Sequence, residues 1–156
     1  MITTESLETL IAEHPFWDGL NPQYISLLKE STELARYGVG QQVFQEGQDA
    51  EHLYLIQHGQ VALETFVPGR GMVTTEAIVT GDALGWSWLF PPYRWHFSAR
   101  SIEPTELIVF DAARLRAHAQ ENHDFGYELV TRMARVMLNR LQATRMKLLD
   151  FYHVLC

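Results

Sequence analysis

The hydrophobic pattern divides the chain into a helical opening, a long β-like middle and a helical close. Residues 4–15 and 22–31 carry apolar positions at helical spacing. Leu7, Leu10 and Ile11 share one face of the first segment, which Pro15 ends. Pro22 sits just inside the second, behind Asn21 as N-cap, with Leu20, Tyr24, Leu27 and Leu28 as apolar positions. From Leu34 to Asp111 short apolar stretches are separated by turn signals: Gly38 and Gly40, Glu46-Gly47, His58-Gly59, Pro68-Gly69, Gly81-Asp82, Pro91-Pro92 and Glu103-Pro104. Intervals of roughly 8–12 residues between such signals predict an all-β sandwich or barrel rather than βαβ units. The clearest strands are residues 52–57 (HLYLIQ), 60–67 (QVALETFV), 74–79 and 106–110.

After Asp111 the helical period returns, with a short helix over 112–120 and a long one over about 124–154. In the long one Val130, Ala134, Met137, Leu141, Thr144, Leu148, Phe151 and Leu155 stand alternately four and three apart. That is a heptad seam. Its flanks are polar (Arg132, Arg135, Asn139, Arg140, Gln142, Arg145, Lys147), which reads as a solvated face. A second apolar line of Leu129, Met133 and Val136 widens the stripe only at its start. The helix either lies wholly on its own barrel, or packs there by its first turns and pairs with a second copy beyond them. A seam this narrow favours the second arrangement, because a core helix shows a broader apolar face. A homodimer through this helix is the expectation.

Charge and composition narrow the function classes. The 156 residues hold 19 Asp and Glu against 12 Lys and Arg, a net charge of −7. That balance speaks against nucleic acid as the main partner, since phosphate binding runs on Lys and Arg. The charge is uneven: residues 1–121 carry 7 basic and 16 acidic groups, and residues 122–156 carry 5 and 3. No apolar run approaches the roughly 20 residues needed to span a bilayer, and the opening MITTESLETL lacks a signal-peptide layout. A cytoplasmic protein without membrane contact is expected. The one cysteine, Cys156, is the last residue, so no internal disulfide can form. The seven histidines show no metal-ligand spacing, and no metal site is predicted. Ser87 lacks the second glycine of a nucleophile elbow, and no acid–base constellation points to an enzyme.

The run from Val43 to Gly59 (VFQEGQDAEHLYLIQHG) resembles the first signature of cyclic nucleotide-binding domains. There a strand ends at a glycine turn, four apolar residues form the next strand and a second glycine closes it. Gly47 and Gly59 permit positive φ in tight turns, and the unbroken LYLI run suits a strand buried on both faces. Phe44 departs from the pattern, which prefers a smaller aliphatic residue. The opening HPFWDGLNP (14–22) and Gly81-Asp82-Ala83-Leu84-Gly85 are similar to segments of the bacterial catabolite-activator and nitrate-reductase-regulator superfamily. The resemblance implies a mainly β fold with flanking helices. The expected architecture is a β-roll (double-stranded jelly roll) with short N-terminal helices and a long C-terminal dimerisation helix. It would be one domain over 1–156, divided into 1–33, 34–111 and 112–156. A helix-turn-helix region is not seen in the chain, so a stand-alone sensory module without direct DNA binding is expected.

The resemblance weakens at the phosphate-binding cassette. The family pattern reads roughly Gly-Glu-x-small-apolar and then Arg-small-Ala. In that pattern backbone N–H groups and the Arg hold the cyclic phosphate, and the Glu accepts from the ribose. Here Gly85 keeps its place, but Trp86 stands at the Glu position and Trp95 at the Arg position, with Arg94 one residue earlier. Each charge-assisted hydrogen bond is worth roughly 1.5–3 kcal/mol, so losing two lowers affinity by about 10²–10⁴. The candidate ligand residues are Gly85, Trp86, Ser87, Trp88, Arg94, Trp95 and His96, with Arg100 as a further candidate for the missing cation. Three readings stand. The tryptophans fill the pocket and no ligand binds, which would leave a structural adaptor for a protein partner. Another nucleotide, a cyclic dinucleotide or NAD(P)H, stacks on them. Or a cyclic nucleotide binds through Arg94 in a shifted register. Where a ligand binds, its occupancy of the cassette is expected to shift the hinge near residues 121–126 and with it the long helix. The Trp-Ser-Trp-Leu-Phe-Pro-Pro run is either a packed barrel wall or a partner-binding surface.

Overall fold

The computed structural model describes residues 4–155, and side chains from 7 to 153. Cys156 and the Leu155 side chain at the end of the seam lie outside these. The chain opens with α1 (Thr4–Glu13), a 3-10 turn (Pro15–Trp17) and α2 (Pro22–Lys29). Asn21 caps α2 as expected, its side chain accepting from the Gln23 N–H at 3.1 Å, with Pro22 at the first helical position.

Seven strands follow: β1 (Thr32–Tyr37), β2 (Gln42–Phe44), β3 (His52–His58), β4 (Gln60–Val67), β5 (Gly71–Val79), β6 (Ser98–Ser101) and β7 (Thr105–Asp111). They form two antiparallel sheets, one ordered β1-β7-β3 and the other β2-β6-β4-β5. This is the β-roll that the family resemblance implies, within the all-β class that the pattern predicts. Leu53, Tyr54, Leu55 and Ile56 of β3 are all buried, which is why that run carries no polar alternation. Three strands fall outside the clearest sequence signals. β1 (TELARY) and β6 (SARS) are polar for their position, and β2 has only 3 residues, so none shows a hydrophobic run. At Gly59 (φ +109) a Cβ would stand 2.4 Å from Thr105 Oγ1, so the β3–β4 turn excludes any side chain there.

Two helices close the chain, α3 (Ala112–Glu121) and α4 (His123–Leu155). Asp111 caps α3 through the Arg114 N–H at 2.9 Å, and Asn122 accepts from the Asp124 and Phe125 N–H groups at the head of α4. The joint is tight. A Cβ on Gly126 would lie 2.7 Å from the Ala119 carbonyl oxygen. The core gathers around the buried Trp17, whose ring meets Phe16 edge-on at 4.6 Å, Phe110 at 5.7 Å and Phe125 at 6.5 Å. Those contacts join the N-terminal turn, β7 and α4. Phe125, Leu129 and Met133 continue the buried line along α4, whereas every described side chain from Leu141 onward is exposed. Among the described residues no helix is long and apolar enough to cross a membrane.

Candidate functional site

The segment between β5 and β6 crosses one end of the roll, beginning at Gly81 (φ +94), whose N–H donates to Ile56. Leu84 N–H donates to the Tyr54 carbonyl, so the approach to Gly85 is pinned to β3. From Gly85 the chain turns tightly. Trp88 is fully buried and its indole N–H donates back to the Gly85 carbonyl at 3.0 Å, closing the turn from inside. The Ser87 hydroxyl lies 3.3 Å from His96 Nδ1, so these two candidates do meet. Among the described residues no carboxylate joins them in a hydrogen bond, and Ser87 is buried, so the pair braces the turn.

Trp95 is 3% exposed and points into an aromatic cluster. Its ring stacks on Phe44 and is flanked by Tyr54 at 6.2 Å and Phe97 at 5.9 Å. A Cβ on Gly85 would meet Phe97 Cζ at 2.9 Å and Trp95 Cζ3 at 3.3 Å, so these rings rest against the cassette glycine itself. Burial also raises the Tyr54 pKa well above its ordinary value, in keeping with a dry cluster.

The candidate cations lie elsewhere. Arg94 reaches across the outer surface, donating to the Gly47 carbonyl at 3.1 Å and facing Asp49 at 3.6 Å. Arg100 projects from β6 and ion-pairs with Glu64 of β4. Among the described residues neither makes a hydrogen bond or ion pair with residues 85–87. The guanidinium that does sit there is Arg140, from α4. It donates to the Ala83 carbonyl and, at 3.2 Å, to the Leu84 carbonyl. It also ion-pairs with Glu76 of β5 at 3.3 Å, and its carbon lies 5.7 Å from the centre of the Trp86 ring. Burial lowers the Arg140 pKa, a shift that Glu76 and then Asp82 oppose. Arg116 of α3 makes a second tie, donating to the Trp88 carbonyl at 2.5 Å and stacking 4.0 Å over Tyr93. Sequence reading placed Arg140 on a solvated flank and gave Arg116 no role. Their partners lie in distant segments, and nothing local marks such pairs.

Comparison with known proteins fits this geometry. The sequence profile of the cyclic nucleotide-binding domain matches residues 34–122, more than half the chain. The chain belongs to that family. It is also 26% identical over 145 residues to the CRP-like cAMP-activated global transcriptional regulator of Mycobacterium tuberculosis. The aligned region is 92% of this chain and 62% of that relative, so the chain spans under two thirds of the relative's length. A crystal structure from Geobacter metallireducens GS-15, assigned as a cyclic nucleotide-binding protein, superposes with TM-score 0.75 at 28% identity. That match covers 90% of this chain and 99% of the other. The Thermus thermophilus catabolite activator protein shares the fold at TM-score 0.69 and 22% identity, over 88% of this chain and 63% of its own.

Gly85, the glycine that the sequence reading assigns to the cassette, lies at the centre of these contacts. The indoles of Trp88 and Trp95 lie against that glycine, and the guanidinium of Arg140 ties down the two residues before it. On α4 the dimerisation candidates are ordered by depth: Met137 is half-buried, while Val130, Ala134, Leu141, Thr144, Leu148 and Phe151 are exposed on the single chain. Among the described residues no group of three or more His, Cys, Asp or Glu gathers as metal ligands would.

Proposed function

We propose that this chain is a non-enzymatic regulatory module whose cassette is closed by its own side chains and does not take cyclic AMP in the family's usual way. The observation that carries the reading is the placement of Arg140. Its guanidinium occupies the carbonyls of Ala83 and Leu84 and the carboxylate of Glu76, while Trp95 and Phe97 lie against Gly85. A charged group so engaged must give up its partners before a ligand phosphate can approach, and the second guanidinium at the turn, Arg116, is itself tied to the Trp88 carbonyl. The module is a homodimer through α4, located in the cytoplasm. Its output is a change in how the helix pair presents itself to a protein partner, hinged at the Asn122 joint between α3 and α4. A ligand shifts such a pair only if it prefers one arrangement.

Trp86 supports the alternative of another nucleotide, because its half-exposed ring beside Arg140 offers a stacking face with a cation. Isothermal titration with cyclic AMP, cyclic GMP, cyclic di-GMP and NAD(P)H separates these readings. Silence from the whole panel is the expected result. Saturable heat from cyclic AMP or cyclic GMP overturns the closed cassette, and heat from either of the other two selects the alternative. Turnover of any of them during the titration would show an enzyme.

A further inference from the structure

The polar flank of α4 is more than a solvated face. Arg132, Arg135, Asn139 and Arg140 line a groove of about 400 Å³ between α4, the Pro15–Trp17 turn, and the segment entering the cassette. Two of the four are already engaged. Arg132 donates to the Asp18 carbonyl at 2.6 Å and pairs with Glu128, and Arg140 makes the ties described above. Arg135 and Asn139 make no side-chain hydrogen bond or ion pair with any described residue. They stand one helical turn apart, so both side chains leave α4 on the same face. A guanidinium fork beside an amide NH2 is a donor set suited to the paired oxygens of a carboxylate or phosphate.

The acidic groups in the lining do not cancel this. Glu76 is taken by Arg140, and the charge of Asp82 acts on Arg140 and His14, at the cassette end of the groove. The remaining lining is apolar, with Phe16, Ile78, Val136 and Ala143 among it. We propose that this groove binds a small organic anion, its single carboxylate or phosphate head on Arg135 and Asn139 and its apolar body against Phe16 and Val136. At 100° per residue this flank of α4 is turned away from the Val130–Leu148 side, so an occupant does not compete with helix pairing. Arg140 is a wall of the groove and also the tie on the cassette, which gives an occupant a route to both.

The test follows backbone amide resonances of the full chain during titration with benzoate, with phenyl phosphate and with inorganic phosphate. Saturable shifts at Phe16, Asp82, Val136 and Asn139 are expected with one or both of the aromatic anions, the better binder identifying the head. Arg135→Gln, at an exposed and unpaired position, weakens that binding by about tenfold or more, as loss of a charged donor implies. Arg70→Gln, at the tip of the β4–β5 hairpin, leaves it unchanged. The proposal is overturned if neither aromatic anion saturates, or if Arg135→Gln and Arg70→Gln bind alike. Inorganic phosphate binding as tightly as phenyl phosphate would also overturn it, by removing the apolar half of the site.

Discussion

The Phe44 ring lies flat on the Trp95 indole, centroids 3.8 Å apart and planes 8° from parallel. The pair joins two of the three places where the sequence reading finds a departure from the family's pattern, Trp86 being the third. In that reading Phe44, at the end of β2, stands where a smaller aliphatic residue is expected, and Trp95 stands where the phosphate arginine is expected. Each departure accounts for the other. An aliphatic residue at 44 would leave one indole face partly uncovered, and an arginine at 95 would put a charge among Phe44, Tyr54 and Phe97.

Trp95→Ala is therefore expected to destabilise the fold by about 3–5 kcal/mol, the range for removing a large aromatic side chain from a core. Urea unfolding of Trp95→Ala, Phe44→Leu and the double variant should show a coupling of about 0.5–1.5 kcal/mol beyond simple additivity. Additive effects would mean that the stacking contributes nothing beyond burial.

The Arg140–Glu76 pair behaves as a latch with a measurable asymmetry. Both side chains are largely buried, 11% and 18% exposed, so removing one leaves the other desolvated and uncompensated. Arg140→Met should lower stability by about 2–4 kcal/mol, and Glu76→Met added to it should recover part of the loss. Thermal or urea melts of the four proteins check this. A double variant less stable than Arg140→Met alone would show that the carbonyls of Ala83 and Leu84, rather than the carboxylate, set the value of the arginine.

Most of the roll was legible from the sequence, because β3, β4 and β7 carry long apolar runs and the turns between them carry glycines. The helices were legible to within a few residues from their apolar period, and α2 also from its cap, Asn21. What the sequence did not reveal is the division of labour among the cassette residues. Trp86, Trp88 and Trp95 are indistinguishable in one dimension. In the fold one is half-exposed beside Arg140, one closes a turn through its own N–H, and one stacks on a strand from the start of the roll. Arg94 and Arg140 look alike too, until the fold brings Arg140 to Ala83. Pairings of this kind depend on tertiary register, which a local pattern does not encode.

His14 should make stability fall in mild acid. Its Nδ1 accepts from the Phe16 N–H at 3.1 Å, so its proton sits on Nε2, which donates to the Ile56 carbonyl at 2.9 Å. A second proton would face the Phe16 N–H and lose that bond. Burial lowers the His14 pKa below 6.5, with Ile56 and Asp82 opposing. The unfolded chain then takes up a proton near 6.5 while the folded chain does not, so stability is full above that pH. It declines as pH falls toward the lower native value. Chemical denaturation from pH 8 to pH 5, compared with His14→Gln, should show a steeper decline in the protein that carries the histidine. Parallel profiles would sink this assignment.

The exposed seam of α4 leads to the last prediction. Leu141 is 67% exposed, Leu148 53% and Phe151 60%, a line of large apolar side chains at heptad spacing with no cover on the single chain. Solvent-exposed leucines scattered singly are ordinary, but a repeat along one face needs a partner of the same period, and a second copy supplies it by symmetry. Leu148→Glu would set two carboxylates against each other across a two-fold helix pair, whereas Gln142→Glu, on the polar flank, would not. Sedimentation should find a dimer for the unmodified chain and for Gln142→Glu, and a monomer or a strongly weakened dimer for Leu148→Glu. Because a dimer's melting midpoint rises with protein concentration, that dependence should vanish in Leu148→Glu alone. A concentration-independent midpoint in the unmodified chain would place the seam against some other surface and remove the homodimer from the proposed mechanism.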